Sequence, residues 1–318
     1  MKREHWAIIA NPASGRGRAR RLAPDVRQAL SAAGVEVTVA WTEARGHGEQ
    51  LAQEAIAQGA MRLVACGGDG TVHEVVNALM GQDVARRSAL MLLPVGRCND
   101  LATALQIPKP LKSAGESLLR ATPRLIDVAR VGGRYFTTVA TLGFDSAVAE
   151  YVDRRGQPSF LKGTAAYLYG VFVHLVRYRD VSVRLKGDFG QFQGSLFMLA
   201  TGNTHTYGGY LKITPDALVD DGLLDVCLVP SVSRWRVLQV LPKVFSGRHV
   251  THPVVSMHRT RRLEIEADEP IWVWADGEPL CQTPATIDLI PGALSVLVPP
   301  GSGVTSRVEL GGMATGEA

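Results

Sequence analysis

Through the first third of the chain, apolar residues come in short unbroken runs, each followed by a longer stretch with helical spacing. Residues 6–10, 35–41, 61–65 and 89–93 are such runs and read as strands of a buried sheet. Residues 18–33 and 48–58 read as intervening helices. From 72 to 80, Val72, Val75, Val76 and Leu79 share one helical face. A short helix reaching Leu105 is expected next, capped by Asn99 or Asp100. This alternation predicts a parallel, doubly wound α/β sheet.

The pattern changes after about residue 121. Residues 124–131 and 135–140 read as a strand pair around Gly132-Gly133, and strand-like runs recur at 181–185, 195–200, 223–229, 262–267, 271–275, 286–289 and 294–298. They predict a second, mostly antiparallel β domain. The expected division is 1–123, 124–300 and a frayed Gly/Ser/Thr-rich tail at 301–318. Residues 160–178 are apolar enough to suggest a membrane span, but Lys162, Gly163, Gly170 and His174 interrupt them, so a packed helix is expected.

Composition narrows the class. The chain has 318 residues, 46% hydrophobic and 20% charged, which fits two folded domains and excludes a disordered chain. Lys plus Arg number 34 against 30 Asp plus Glu. That excess suits an anionic nucleotide or a membrane surface and is too small to argue for nucleic acid. Cys66, Cys98, Cys227 and Cys281 show no metal-ligand spacing and read as reduced, buried thiols of a cytoplasmic protein. The apolar run near the start is too short for a signal peptide.

The chemistry concentrates at Cys66-Gly67-Gly68-Asp69-Gly70-Thr71-Val72-His73-Glu74. A strand, a glycine turn and a helix make a phosphate-binding loop: glycine lets a ligand approach the main chain, and the helix N-terminus favours an anion. Thr71 and Glu74 fit a capping box. A carboxylate at Asp69 would repel phosphate unless a cation intervenes or the acid acts as a base, which points to Mg²⁺-nucleotide chemistry. A plain strand-to-helix turn with a surface aspartate is the simpler reading of this stretch alone. Asn11-Pro12-Ala13-Ser14-Gly15 forms a second polar loop after a strand, where open α/β sheets bind ligands. For most of the arginines Arg16, Arg18, Arg20 and Arg21, a solvated helix face is expected.

Together these motifs resemble the bacterial diacylglycerol kinase family of soluble lipid kinases over nearly the full length. The matching pieces are Asn11-Pro12-Ala13-Ser14-Gly15, Gly67-Gly68-Asp69-Gly70-Thr71, Asn99-Asp100, Asp220-Asp221-Gly222-Leu223-Leu224-Asp225 and Asp276-Gly277-Glu278. The resemblance implies a nucleotide-binding α/β domain, a following β-sandwich and a cleft between them where ATP phosphorylates a lipid hydroxyl. It assigns nucleotide contact to Asn11, Pro12, Ala13, Ser14, Gly15, Thr42, Gly67, Gly68, Asp69, Gly70, Thr71, Val72, His73, Asn99 and Asp100. Asp276 and Glu278 would act on the acceptor hydroxyl, with Asp127 as a partner of that base. Leu218 and Leu223 (carbonyls) and Asp221 (carboxylate) would form a structural Mg²⁺ site. A lipid acceptor implies reversible peripheral membrane contact, for which 160–178 and Arg154-Arg155 are candidates, and leaves room for a homodimer.

Alone, Asp220-Asp221-Gly222 and Asp276-Gly277-Glu278 read as ordinary Asp-Gly hairpin turns. The family's Gly-Thr-x-Asn-Asp is here Gly96-Arg97-Cys98-Asn99-Asp100. Arg97 is expected to reach a nucleotide phosphate or Asp69, or else to weaken the site. The alternatives kept open are an NAD kinase-like enzyme and a regulatory relative without turnover.

Overall fold

The computed structural model describes residues 4–81, 88–109, 114–148 and 178–300, with the single positions 175 and 302. The stretch 160–178, apart from positions 175 and 178, lies outside the described residues, as do Arg154-Arg155 and all but position 302 of the tail.

The first half alternates as its pattern predicts: β1 (His5–Ala10), α1 (Ser14–Ala32), β2 (Glu36–Trp41), α2 (His47–Ala57), β3 (Arg62–Gly67), α3 (Asp69–Gly81), β4 (Ala89–Pro94), α4 (Asp100–Ala104) and α5 (Ala114–Leu119). The strands run parallel in the order β2-β1-β3-β4. Ala7, Ile9, Leu63, Ala65, Leu90 and Leu92 face the core under α2 and α3. Their neighbours Trp6, Ile8, Val64, Cys66, Met91 and Leu93 face the core under α1 and α5. Strands buried on both faces explain the unbroken apolar runs. The carboxyl ends of all four strands point to one edge, which gathers the loops after β1, β2, β3 and β4.

The second half is antiparallel: β5 (Thr122–Val131), β6 (Arg134–Phe136), β7 (Val139–Gly143), β8 (Val181–Gly187), β9 (Gly190–Gly202), β10 (Leu224–Pro230), α6 (Arg234–Val244), β11 (Ser256–Thr260), β12 (Arg262–Ala267), β13 (Trp272–Ala275), β14 (Glu278–Gln282) and β15 (Ala285–Val298). Its inner core includes Phe136, Leu142, Leu185, Leu199, Val226, Ile265 and Val273. On the outer face, α6 buries Val237, Val240 and Val244 beside Phe197, Cys227 and Val229. Each such burial is worth roughly 1.5–3 kcal/mol.

Two differences from the sequence reading shape the site. The runs at 286–289 and 294–298 are one strand, β15, paired with β5 across a register shift between Ile290 and Leu294. Beyond that shift β15 also pairs parallel to β4, so the chain returns to the first sheet. Conversely, the run at 135–140 is split into β6 and β7. The break at Thr137-Thr138 turns two backbone N–H groups toward Asp276.

Candidate active site

The loop after β1 is held by its own polar groups. The Asn11 side chain accepts the Ala13 N–H at 3.0 Å, and the Asn11 N–H donates to the Cys66 carbonyl at 3.0 Å. Gly15 has φ +62°, and a Cβ there would lie 2.3 Å from the Val95 carbonyl oxygen, so only glycine fits. Residues 15–17 are left-handed, and regular helix begins at Arg18 as expected. Arg18 is not merely solvated: Nη2 donates to the Val95 carbonyl at 3.2 Å, tying this loop to the one after β4.

The glycines after β3 are shaped by close packing. A Cβ on Gly67 would strike the Thr71 side chain, and one on Gly96 would stand 2.3 Å from the Gly68 Cα. The capping-box expectation fails. The helix begins at Asp69, two residues before Thr71, and Glu74 reaches the preceding helix instead. Its carboxylate accepts the N–H groups of Gly46 and Gly48 at 2.6 and 2.8 Å, binding the start of α2 to α3.

Asp69 has a structural task in this arrangement. Both its oxygens accept backbone N–H groups, from Asn99 at 2.8 Å and Asp100 at 2.6 Å. The carboxylate staples the loop after β4 to the glycine turn through these two backbone amides. Burial raises its pKa, partly offset by those amides. Asp100 is pushed up to about 7, first by burial and then by Asp69 beside it. Its Oδ1 accepts the Gly209 N–H from the second half at 2.8 Å. Asn99 precedes α4 in a left-handed conformation, but its side chain turns back to Gly96 instead of capping the helix.

The Asp276-Gly277 turn joins β13 to β14, and both residues have positive φ, 52° and 81°. This matches the Asp-Gly hairpin signal. The Asp276 carboxylate is buried. It accepts the N–H of Thr137 at 3.1 Å, the N–H of Thr138 at 2.9 Å and the hydroxyl of Thr138 at 2.5 Å. His73 Nδ1 lies 3.2 Å away. Asn77 Oδ1 accepts the Tyr135 N–H, so its amide nitrogen faces His73 Nε2 at 3.3 Å. The amide's hydrogens go to the carbonyls of His73 and Tyr135 at 2.9 Å each; the Asp276 carboxylate can only accept, which assigns the proton between the two side chains to His73 Nδ1.

Glu278 completes the site. Arg45 from the loop after β2 forms an ion pair with its Oε2, and a Cβ on Gly70 would lie 3.8 Å from its Oε1. Asn11, Pro12, Ala13, Ser14, Thr42, Gly68, Gly70, Thr71 and Glu278 line one open cleft of about 510 Å³. Glu43, Ala44, Arg45, Glu74 and Gly277 join them, and sequence reasoning missed these as site residues. A bidentate Arg134–Glu49 pair, at 3.0 and 2.7 Å, clamps the two halves beside it.

Other expected site residues sit elsewhere. Gly15, Gly67, Asp69, Asn99 and Asp100 build the walls from behind. Val72 packs into the core and His73 turns inward to Asp276. Arg97 is exposed, makes no ion pair among the described residues and does not line the cleft. It forms no ion pair with Asp69, whose oxygens each accept a backbone N–H. The Asp127 carboxylate accepts the N–H groups of Gly222 and Gly292 at 2.8 and 2.7 Å, not a group of the Asp276–Glu278 hairpin. Its link to that hairpin is indirect, through Asn203, whose amide donates to the carbonyls of Asp127 and Thr137.

At the 220–222 turn, Asp221 Oδ1 accepts the Leu223 N–H at 3.1 Å and Oδ2 stands 3.9 Å from Arg259 Nη1. Asp220 pairs with Arg124 at 2.5 Å. Asp127 and Asp225 are both raised chiefly by burial and further by Asp221. Among the described residues no three or more His, Cys, Asp or Glu side chains are grouped to hold a metal ion. The cysteines are unbridged, and burial pushes Cys66, Cys98 and Cys227 up to about 12.

Comparison with known proteins matches residues 5–131 to the family described as diacylglycerol kinase catalytic domain. Residues 138–298 match the YegS C-terminal NAD kinase beta sandwich-like domain. A diacylglycerol kinase of Mycobacterium tuberculosis is 33% identical over 298 residues, covering 92% of this chain and 94% of that protein. A Pseudomonas fluorescens protein named "Probable lipid kinase YegS-like" is 34% identical over 275 residues, covering 86% and 89%. A crystal structure of a diacylglycerol kinase from Bacillus anthracis superposes with TM-score 0.73 at 22% identity, covering 95% of this chain and 99% of that one. At that identity the likeness speaks for the fold: an α/β domain followed by an antiparallel sandwich.

Proposed function

The chain belongs to the diacylglycerol kinase family of lipid kinases, and from this premise we propose that it transfers the γ-phosphate of ATP to a hydroxyl of a lipid such as diacylglycerol. The observation that carries the reading is Glu278 standing in one cleft with the loops after β1, β2 and β3. Asn11 to Ser14, Thr42, Gly68, Gly70 and Thr71 receive the nucleotide phosphates, with backbone N–H groups and the α3 dipole supplying favourable charge. Arg45 holds Oε2 of Glu278 and leaves Oε1 turned toward Gly70. In this role Oε1 takes the proton of the acceptor hydroxyl as that oxygen attacks the γ-phosphorus, ADP leaves, and the proton passes to water. Asp276 and His73 act one layer behind as positioning residues. They hold the hairpin against Thr137-Thr138 and α3.

Mg²⁺, if bound with the nucleotide, would supply neutralisation of phosphate charge. At the 220–222 turn, Asp221 with the carbonyls of Leu218 and Leu223 would hold a structural Mg²⁺. Arg97, exposed and outside the cleft, does not crowd it, and this supports turnover over a purely regulatory role.

The test is a screen with γ-labelled ATP over diacylglycerol, a sphingoid base, phosphatidylglycerol and NAD. Label is expected in a lipid. Label in NAD alone would move the chain to the NAD kinase reading, and label in no acceptor would favour the regulatory one.

A further inference from the structure

Residues 226–263 contain no Asp or Glu, although the chain as a whole is nearly balanced in charge. Within that stretch the strand arginines Arg259, Arg261 and Arg262 pair with Asp225, Asp188 and Asp288, and Arg234 pairs with Asp180. On and just after α6 the cations Arg236, Lys243 and Arg248 are exposed and make no ion pair among the described residues. Among the described residues, positive charge is therefore left without an ion-pair partner on one surface.

The same helix presents apolar side chains outward. Its inner ridge, Val237, Val240 and Val244, is buried. Trp235 is 69% and Leu238 38% exposed, three residues apart on the opposite ridge. Burying its inner ridge does not require an exposed tryptophan on the outer one. A tryptophan beside a leucine, flanked by cations, suits the boundary between water and lipid. Two apolar side chains are too few for the core of a stable protein interface. They are enough for reversible insertion when charge assists.

A second feature joins this surface to the site. At the end of α6, Phe245 lines a groove of about 580 Å³ with Tyr210, Lys212, His205 and Thr103 of α4. Tyr210 is 65% exposed. The loop that carries it also supplies the Gly209 N–H held by Asp100.

We propose that the outer face of α6, with Trp235 and Leu238 inserted and Arg236, Lys243 and Arg248 on the headgroups, docks the protein on an anionic bilayer. The idea rests on the lipid-kinase reading only for its purpose, since docking is measured without turnover.

The experiment sediments the intact protein with phosphatidylcholine vesicles, with and without phosphatidylglycerol. Wild type should bind the anionic vesicles and leave the neutral ones largely unbound. The triple variant R236Q/K243Q/R248Q should lose affinity by about 100-fold, near five-fold per charge. W235A/L238A should lose about 10-fold or more, and quenching by brominated lipid should be lost in W235F. Turnover on an acceptor presented in detergent micelles should be unchanged in all variants, which separates failure of docking from failure of the kinase reading. Equal vesicle binding by wild type and both multiple variants would overturn the proposal. So would no binding by wild type, or a change of oligomeric state in W235A/L238A with vesicle binding intact.

Discussion

Asp276→Asn changes one atom and isolates the hairpin's anchor. In the folded protein the carboxylate meets four hydrogen donors: the N–H of Thr137, the N–H and hydroxyl of Thr138, and Nδ1–H of His73. An asparagine supplies one acceptor oxygen and an NH₂ group. With the NH₂ in the place of Oδ2, it faces the Thr137 N–H and the His73 Nδ1–H. In the place of Oδ1, it faces the Thr138 N–H, while the hydroxyl can rotate to accept. The second arrangement leaves one buried N–H unsatisfied, at about 1–3 kcal/mol, and weakens the bonds that had a charged acceptor. The expected loss is about 2–4 kcal/mol of unfolding free energy. Urea denaturation with an unchanged m-value is the assay. Turnover should fall as well, by roughly 100-fold, because the hairpin carrying Glu278 shifts against the phosphate loop. A stability within about 0.5 kcal/mol of wild type, the range of an ordinary surface change, would refute the anchoring role.

Three further outcomes follow from the same geometry. Gly15→Ala should destabilise the loop after β1 and weaken ATP binding in calorimetry, because its Cβ collides with the Val95 carbonyl at a positive φ. Stability should fall as pH rises from about 4 to 7: Asp100 has a folded pKa raised to about 7, so the native state binds more protons across that window. In Asp100→Asn, melting curves across the window should be flatter. In the absence of nucleotide, Mg²⁺ should raise the melting temperature of wild type but not of Asp221→Ala; equal shifts in both would place the ion elsewhere.

Much of this architecture was legible in the chain. Parallel strands buried on both faces write themselves as unbroken apolar runs, and an Asp-Gly pair between strand signals marks a hairpin. Of the residues the motifs single out, Asn11 to Ser14, Thr42, Gly68, Gly70, Thr71 and Glu278 line one cleft. Partners distant in sequence were not legible. Glu74 fits its own helix's capping box, yet it binds amides 26 and 28 residues earlier. Arg45 sits in a loop without a motif and meets Glu278 across 233 residues. The break in 135–140 leaves no trace in hydropathy, because Thr-Thr is as good a strand sequence as any. Asp127 shows the same limit: the resemblance made it a partner of the base, and its carboxylate hydrogen bonds go to Gly222 and Gly292.

The central claim is that Glu278 removes the acceptor proton in a cleft that holds ATP. Glu278→Gln keeps the side chain's shape and removes its basicity. Transfer of label from γ-labelled ATP to the best lipid acceptor should fall by about 100- to 10,000-fold, while ATP affinity by calorimetry and the melting temperature stay near wild type. Transfer at the wild-type rate by a folded, ATP-binding Glu278→Gln protein would contradict the account.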